Sequence, residues 1–538
     1  MAAATITFCP APARTAPYDG SMIRSILTVS TGTLASRLLG FARDAMVAAL
    51  LGAGPVADAF LVAFQLVNVI RRLLTEGALN AALIPAWLRI QTTQGAIAAT
   101  AFAGRVLGTI SVALIVATIL IGFAMPLVIA LLAPGFVGQP TLQLAVDNAR
   151  LMLPYLAFAG PVTVMMGLLN AQQRFAVTAF SPLLFNIALI AVMALLLVWR
   201  QEPDTAAMAM AATVGIAGLL QLLMLILRKS GGNLAAPLRL SFDGEMRGFF
   251  RKALPGMVAN SGPQLLIVTG AIIASTTPAA VSWLYFANRL IELPLGIVGT
   301  AMGTVLVPAL TRAVRSDDQA AIAQAESRGF ELAIGLALPA TLGLMILSHL
   351  IVQCLFQHGA FGESDTISTA SALIWLALGL PAQVLVKALS PAFFAREDTT
   401  TPLLATLVGL VIAIIFALVL NRPFGTSGIA AAIALAAWGS AIFLIVRSAA
   451  AFGFSPDHDA RRRLPIIVLS SLTMGGLLWL AAHIALPWTA QAHGLVRASL
   501  LGLLIVGGLA IYAALLTLSG AVRWAEVRGA LKRSPAAG

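Results

Sequence analysis

The chain has 538 residues, of which 59% are hydrophobic and only 10% charged, with a formal net charge of +12. Soluble domains carry about 25% charged residues, so this balance excludes an ordinary soluble enzyme, a disordered chain and a coiled coil. It points to an all-α, polytopic membrane protein in which basic charge belongs to loops rather than to nucleic-acid binding.

Residues 1–21 form a mixed tail with Pro10, Pro12 and Pro17, lacking the basic start and apolar run of a signal peptide. Crossing about 30 Å of hydrocarbon takes roughly 20 apolar residues. Fourteen such runs follow, at 25–51, 59–84, 103–133, 146–171, 179–199, 205–227, 254–277, 280–311, 329–355, 366–394, 401–420, 427–447, 464–486 and 496–520. Each must be helical, because backbone groups find no water in lipid. The expected organisation is a first six-helix lobe at 22–228, a basic cytoplasmic loop at 229–253 and a second six-helix lobe at 254–450. An extra helix pair at 464–520 and a tail at 521–538 complete it.

The loops orient the spans. With both termini inside, 23 lysines and arginines fall in cytoplasmic segments and 4 on the outer side. This positive-inside bias predicts a multi-pass protein of the bacterial cytoplasmic membrane with both termini cytoplasmic, and leaves no need for nucleic acid as a partner. The clusters at 228–252 and 461–463 read first as topology signals and second as contacts for anionic phospholipids. Cys9 and Cys354 make an unpromising disulfide, and five scattered histidines offer no metal-ligand spacing.

Residues 77–90 (GALNAALIPAWLRI) are similar to 300–313 (TAMGTVLVPALTRA), an offset of 223. Asn170 to Arg174 followed by Pro182 is similar to Pro391 to Arg396 followed by Pro402 at about the same offset. Six spans per unit is an even number, so the two lobes form a parallel pseudo-repeat, and such halves bind substrate at their interface.

Charge within a bilayer costs roughly 2.5–3.5 kcal/mol per residue on insertion scales and marks function by default. Six cations fall inside spans, namely Arg37, Arg43, Arg71, Arg72, Arg289 and Lys387. The acids nearby are Asp44, Glu76 and Glu292, with Asp58 at the outer entrance to the second span. Arg72 with Glu76 (i,i+4) and Arg289 with Glu292 (i,i+3) can each pair on one helix, so Arg71 is the neighbour expected to face a cavity. Arg37 and Arg43 lie about 120° apart on an ideal helix, and Gly40 between them is the candidate hinge. In a purely architectural reading these charges pair among themselves and fix helix packing. That reading fits one lone Arg–Glu pair better than the whole set, where cations outnumber acids; for Lys387 the two readings stand level. Surplus guanidinium asks for an anion, and its fork suits phosphate oxygens.

These same residues carry a resemblance. The run Ser36-Arg37, Gly40, Arg43-Asp44, then Asp58, Asn68, Arg71-Arg72, Glu76-Gly77 and Pro85 closely resembles the MurJ/MviN lipid II flippases of the multidrug/oligosaccharidyl-lipid/polysaccharide exporter superfamily. Further matches include Ser282, Tyr285, Asn288-Arg289, Glu292, Gly359 and Lys387. The resemblance implies fourteen transmembrane helices in two lobes around a cavity that opens alternately inward and outward. It implies a transporter, not an enzyme, carrying lipid II (undecaprenyl-pyrophosphate-linked disaccharide-pentapeptide) to the outer leaflet for peptidoglycan synthesis, with the synthesis machinery as a further partner. Arg37, Arg43, Arg71 and Arg289 match arginines that engage the head group. Asp58 matches a position expected at the outer gate, with Asp44, Arg72, Glu76, Glu292 and Lys387 supporting, and 464–520 matches the pair that forms a groove for the prenyl tail. No cofactor or metal is implied. The driver is membrane potential, a proton or sodium; relatives that bind sodium use an acid in the seventh span, and 254–277 has none. The rival readings are a flippase for another polyprenyl-pyrophosphate-linked glycan, a MATE-like multidrug antiporter, and a membrane enzyme acting on prenyl pyrophosphates. A cation exporter would favour acids where these arginines stand, and an enzyme using magnesium would want clustered carboxylates.

Overall fold

The computed structural model describes residues 20–521 except 76–77, 173, 228–234, 236, 242, 245, 252–261, 303–305, 307–309, 314–315, 317, 397, 454–456 and 492–493. The expected N-terminal tail, Glu76, and most of the basic loop and C-terminal tail lie outside the described residues. Among the described residues the regular structure is entirely helical. Nine helical runs among the described residues are long and apolar enough to cross a membrane.

The first lobe contains α1 (Gly20–Leu51), α2 (Pro55–Thr75), α3 (Ala78–Gln94), α4 (Ala96–Phe123), α5 (Met125–Leu132), α6 (Pro140–Met152), α7 (Pro154–Ala171), α8 (Phe175–Trp199) and α9 (Pro203–Leu227). The second contains α10 (Gly262–Ala274), α11 (Ala280–Ala301), α12 (Gln319–Ile346), α13 (Ser348–Phe356), α14 (Glu363–Leu378), α15 (Leu380–Phe394) and α16 (Thr400–Phe452). α17 (His458–Gln491) lies along α12, and α18 (Gly494–Leu518) lies along α17. Tyr512 of α18 donates to the Gly335 carbonyl of α12 at 2.7 Å.

Several expected single spans are broken pairs. The run 146–171 begins at Pro140 and is interrupted at Leu153, because Pro154 has no N–H to continue the ladder. The run 366–394 breaks at Gly379, two residues before Pro381. Conversely, α16 joins two expected spans in 53 residues. A straight helix of that length would reach about 80 Å, far more than a bilayer. It instead folds back at Gly425, whose φ of 54° no helix tolerates. Its arms then meet as an antiparallel hairpin. Ser440 donates to the Ala405 carbonyl at 2.8 Å, and a Cβ on Gly439 would strike Ile412.

Lipid tails supply no hydrophobic drive between helices, so close packing depends on small residues. Ala57, Ala59 and Ala63 of α2 are fully buried, as are Ala145 and Ala149 of α6 beside them. α1 approaches α8 where a Cβ on Gly32 would stand 2.9 Å from that of Ala179.

The lobes meet at one end. Ala360 donates to the Ala49 carbonyl at 2.8 Å. Gly52 and Gly359, both left-handed at φ 66° and 59°, let the two backbones approach so closely. Gly135 donates to Ser275 Oγ at 3.1 Å, with its Cα side pressed on the Ser275 carbonyl. Phe41 of the first lobe packs at a tilt on Phe356, which packs on Phe286 at 5.1 Å between ring centres. The opposite end carries the described part of the basic loop and three ion pairs: Arg105 with Asp243 at 2.7 Å, Arg396 with Glu326 at 3.0 Å, and Arg463 with Glu331 at 3.6 Å.

Candidate functional site

α11 organises the seam between the lobes. Ser282, Tyr285, Arg289, Glu292, Gly296 and Gly299 recur every three or four residues, so they share one face. From 282 to 299 that stripe runs about 26 Å, most of the hydrocarbon thickness. Every position on it meets a polar or charged group from another helix.

At the closed end, Asp58 of α2 accepts from Ser282 N at 2.9 Å and from Ser282 Oγ at 2.5 Å. The N-cap of α11 is Ala279, a left-handed residue without a side-chain cap. Asp58 therefore caps α11 from the other lobe, placing an anion where the helix N-terminus favours one. Both partners are buried.

One turn on, Tyr285 donates to Asp44 Oδ1 at 3.2 Å. Asp44 is 1% exposed and serves two arginines. Its Oδ1 accepts from Arg43 Nη2 at 2.7 Å and Nε at 2.9 Å. Its Oδ2 lies 2.6 Å from Arg289 Nε, a distance that holds the charges together although the two atoms are off line for a hydrogen bond. Arg289 Nη1 reaches Glu292 Oε2 at 2.8 Å, and Glu292 Oε1 lies 3.2 Å from Arg72 Nη2. The result is an alternating ladder, Arg43, Asp44, Arg289, Glu292, Arg72, that passes from α1 to α11 to α2.

Arg43 is held on all sides. Beyond Asp44, its Nη1 donates to Asn186 Oδ1 at 3.1 Å, and its guanidinium stands 5.0 Å from the Phe64 ring centre and 5.9 Å from that of Phe185. Asn186 also donates to the Ser36 carbonyl at 3.2 Å, tying α8 to α1. Arg71 donates to Asn68 Oδ1 at 3.3 Å, one turn back on α2. Arg37 packs against Gly296 of α11, and Lys387 of α15 brings Nζ to 3.4 Å from where a Gly299 Cβ would stand.

The same-helix partner expected for Arg72, Glu76, lies outside the described residues; Arg72 also reaches Glu292 across the seam. Arg289 pairs with Glu292 on its own helix as expected, and it further shares Asp44 with Arg43. Five arginines stand with two carboxylates, Asp44 and Glu292, among the described residues. α1 runs unbroken through Gly40, and the space of its missing side chain is taken by Arg289. Sequence reasoning assigned no role to Asn186, Tyr285 or Gly296. For Asn186 the signal was present, as a lone amide within the apolar run 179–199.

The family model described as lipid II flippase MurJ matches residues 47–496. A probable lipid II flippase MurJ of Rhizobium meliloti (strain 1021) is 35% identical over 96% of this chain and 97% of its own length. That of Rhizobium tropici is 34% identical over 95% and 97%. The lipid II flippase MurJ of Burkholderia cenocepacia is 30% identical over 93% and 98%. Among solved structures, a lipid II flippase MurJ in an inward closed conformation superposes with a TM-score of 0.75 at 22% identity, covering 92% of this chain and 98% of its own. An inward-facing MATE-family multidrug transporter of the MOP superfamily reaches 0.64 at 15% identity, over 82% and 98%. At those identities the superpositions speak for the fold.

Proposed function

The chain belongs to the lipid II flippase MurJ family, and on that premise we propose that it carries lipid II across the cytoplasmic membrane by alternating access, using the α11 seam as the head-group path. The observation that carries this reading is the stripe on α11, where cations from both lobes converge within the span.

The described contacts between the lobes gather at the end away from the basic loops. With the basic loops cytoplasmic, this reading has the head group enter from the inner leaflet, where lipid II is made. The incoming diphosphate competes with Asp44 and Glu292 for Arg289 and Arg72. Guanidinium forks take up its oxygens as paired, charge-assisted hydrogen bonds. Arg37 and Arg71 add charge on α1 and α2. Arg43, gripped by Asp44, Asn186 and two rings, sets the position of Asp44 and thereby of Arg289. Once a phosphate replaces Asp44 as the partner of Arg289, the ladder that ties α11 to α1 loses a rung. Binding thus favours separation of the lobes at the closed end, as differential affinity for two states requires. No bond is broken.

The prenyl tail stays in lipid. One face of α17 presents Leu464, Pro465, Val468, Leu469 and Leu472 in line, with Arg461 at its start, and this apolar face supports a tail path there. It equally suits the acyl chain and phosphate of an anionic phospholipid. Membrane potential is the driver this reading favours, since a cationic seam moves with the field; α10 offers no acid for sodium.

The test is transport of labelled lipid II between leaflets by the full chain in vesicles, with Arg37, Arg71 and Arg289 each replaced by Ala. A loss of at least 10-fold for each is expected. Undiminished transport by all three variants at full expression would refute the head-group path.

A further inference from the structure

We propose that Gly40 and Gly296 are reciprocal arginine sockets, positioning residues that seat the guanidinium of the opposite lobe against a bare helix backbone. The inference rests on the head-group path above and adds residues to it.

α1 and α11 exchange arginines. A Cβ on Gly40 of α1 would stand 2.7 Å from Arg289 Nη2 of α11. A Cβ on Gly296 of α11 would overlap Arg37 Nη1 of α1 and stand 2.7 Å from its Cζ and 2.9 Å from its Nη2. Arg37 and Arg289 are both assigned to the substrate path. Each is therefore placed by a glycine that the partner helix supplies.

Backbone geometry does not explain these glycines. Both lie within helices, and neither has a positive φ. Glycine in a helix interior is disfavoured relative to alanine, so both positions forgo helix propensity. Nor do they serve backbone contact. At Gly135 and Gly215 a Cβ would meet a neighbouring carbonyl, and the two segments would have to part. At Gly296 the three nearest atoms all belong to the Arg37 guanidinium; at Gly40 the nearest belongs to Arg289, and Asn186 Nδ2 follows at 3.7 Å. A methyl group would thus displace the far end of a flexible side chain and leave the fold in place. Such a substitution should keep or raise stability while it unseats the arginine.

The experiment uses the full chain in detergent, with melting temperature and lipid II affinity measured on the same preparations. The variants are Gly296→Ala, Gly40→Ala, Arg37→Ala, the double variant Arg37→Ala/Gly296→Ala, and Gly343→Ala as a control helix glycine with open space around it. The expected result for Gly296→Ala is a melting temperature at or above that of the parent with lipid II affinity at least 10-fold weaker. Arg37→Ala should abolish the further effect of Gly296→Ala, because a residue that acts through another is not additive with it. Gly40→Ala should behave as Gly296→Ala does, and Gly343→Ala should leave affinity unchanged. The sockets are overturned if Gly296→Ala binds within twofold of the parent. They are equally overturned if its melting temperature falls with its affinity, or if its effect adds fully to that of Arg37→Ala. A parent chain that does not bind or move lipid II would instead overturn the flippase reading.

Discussion

Replacing Asp58 by Ala should open the closed end without dismantling either lobe. Asp58 is the acceptor for two buried donors, Ser282 N and Oγ, and α11 has no cap of its own. Loss of a helix cap costs about 1 kcal/mol. Leaving a buried donor without its acceptor costs about 1–3 kcal/mol. The sum, about 3 kcal/mol, falls on a contact between lobes, so it weighs on the closed state relative to the open one. At 1.4 kcal/mol per tenfold, the closed-to-open ratio should drop about 100-fold. Ala280 is fully buried beside this contact, so a cysteine placed there, in a background without Cys9 and Cys354, reports opening through its rate of maleimide labelling in detergent. Labelling should accelerate by up to about 100-fold in Asp58→Ala. Asp58→Asn keeps an acceptor and should give a smaller acceleration. If labelling stays within twofold of the parent while the melting temperature falls, Asp58 stabilises the fold generally and the inter-lobe argument fails.

Two further outcomes can be measured by thermal unfolding. Asp44→Ala strands Arg43 and Arg289, both mostly buried, and should cost about 3–5 kcal/mol as broken buried pairs do; removing Arg289 as well should restore part of that loss. Asp398 accepts from the Thr401 hydroxyl at 2.6 Å and from the backbone N–H groups of Thr401 and Thr400 at 3.0 Å, which hold its carboxyl below the usual carboxylate value, the Thr401 hydroxyl most of all. A carboxyl lowered by folding adds stability that is complete above its unfolded value of about 3.9 and fades as pH falls through the lower, folded value. Asp398→Ala should therefore melt lower than the parent at pH 7 by the equivalent of about 1 kcal/mol, with the gap closing as pH falls below about 4.

The sequence was most legible where it broke its own pattern. An arginine in an apolar run is conspicuous, and Arg37, Arg43, Arg71, Arg72 and Arg289 stood out for that reason. Pairing within a helix was legible too, since Arg289 and Glu292 lie three residues apart. Pairing between helices was not. Nothing in periodicity says that Asp44 faces Arg289, that Glu292 reaches Arg72, or that Asp58 caps a helix more than 200 residues away; those contacts depend on how α1, α2 and α11 cross. Helix breaks followed local chemistry where proline was involved, as at Pro154, and the turn at Gly425 falls in the gap expected between the runs 401–420 and 427–447. Gly296 was invisible because its role is the space it leaves. A missing side chain has no signature without the neighbour that fills it.

Sharing Asp44 between Arg43 and Arg289 bears on the unloaded carrier. After delivery it must return through the low-dielectric core with its guanidinia and no cargo. Asp44 and Glu292 travel with it as resident counter-ions, tethered at an effective concentration that dissolved anions rarely match. On the proposed head-group path the empty stroke then resembles the loaded one electrostatically, with a carboxylate standing in for the departed phosphate, and the cycle can reset without borrowing a dissolved anion.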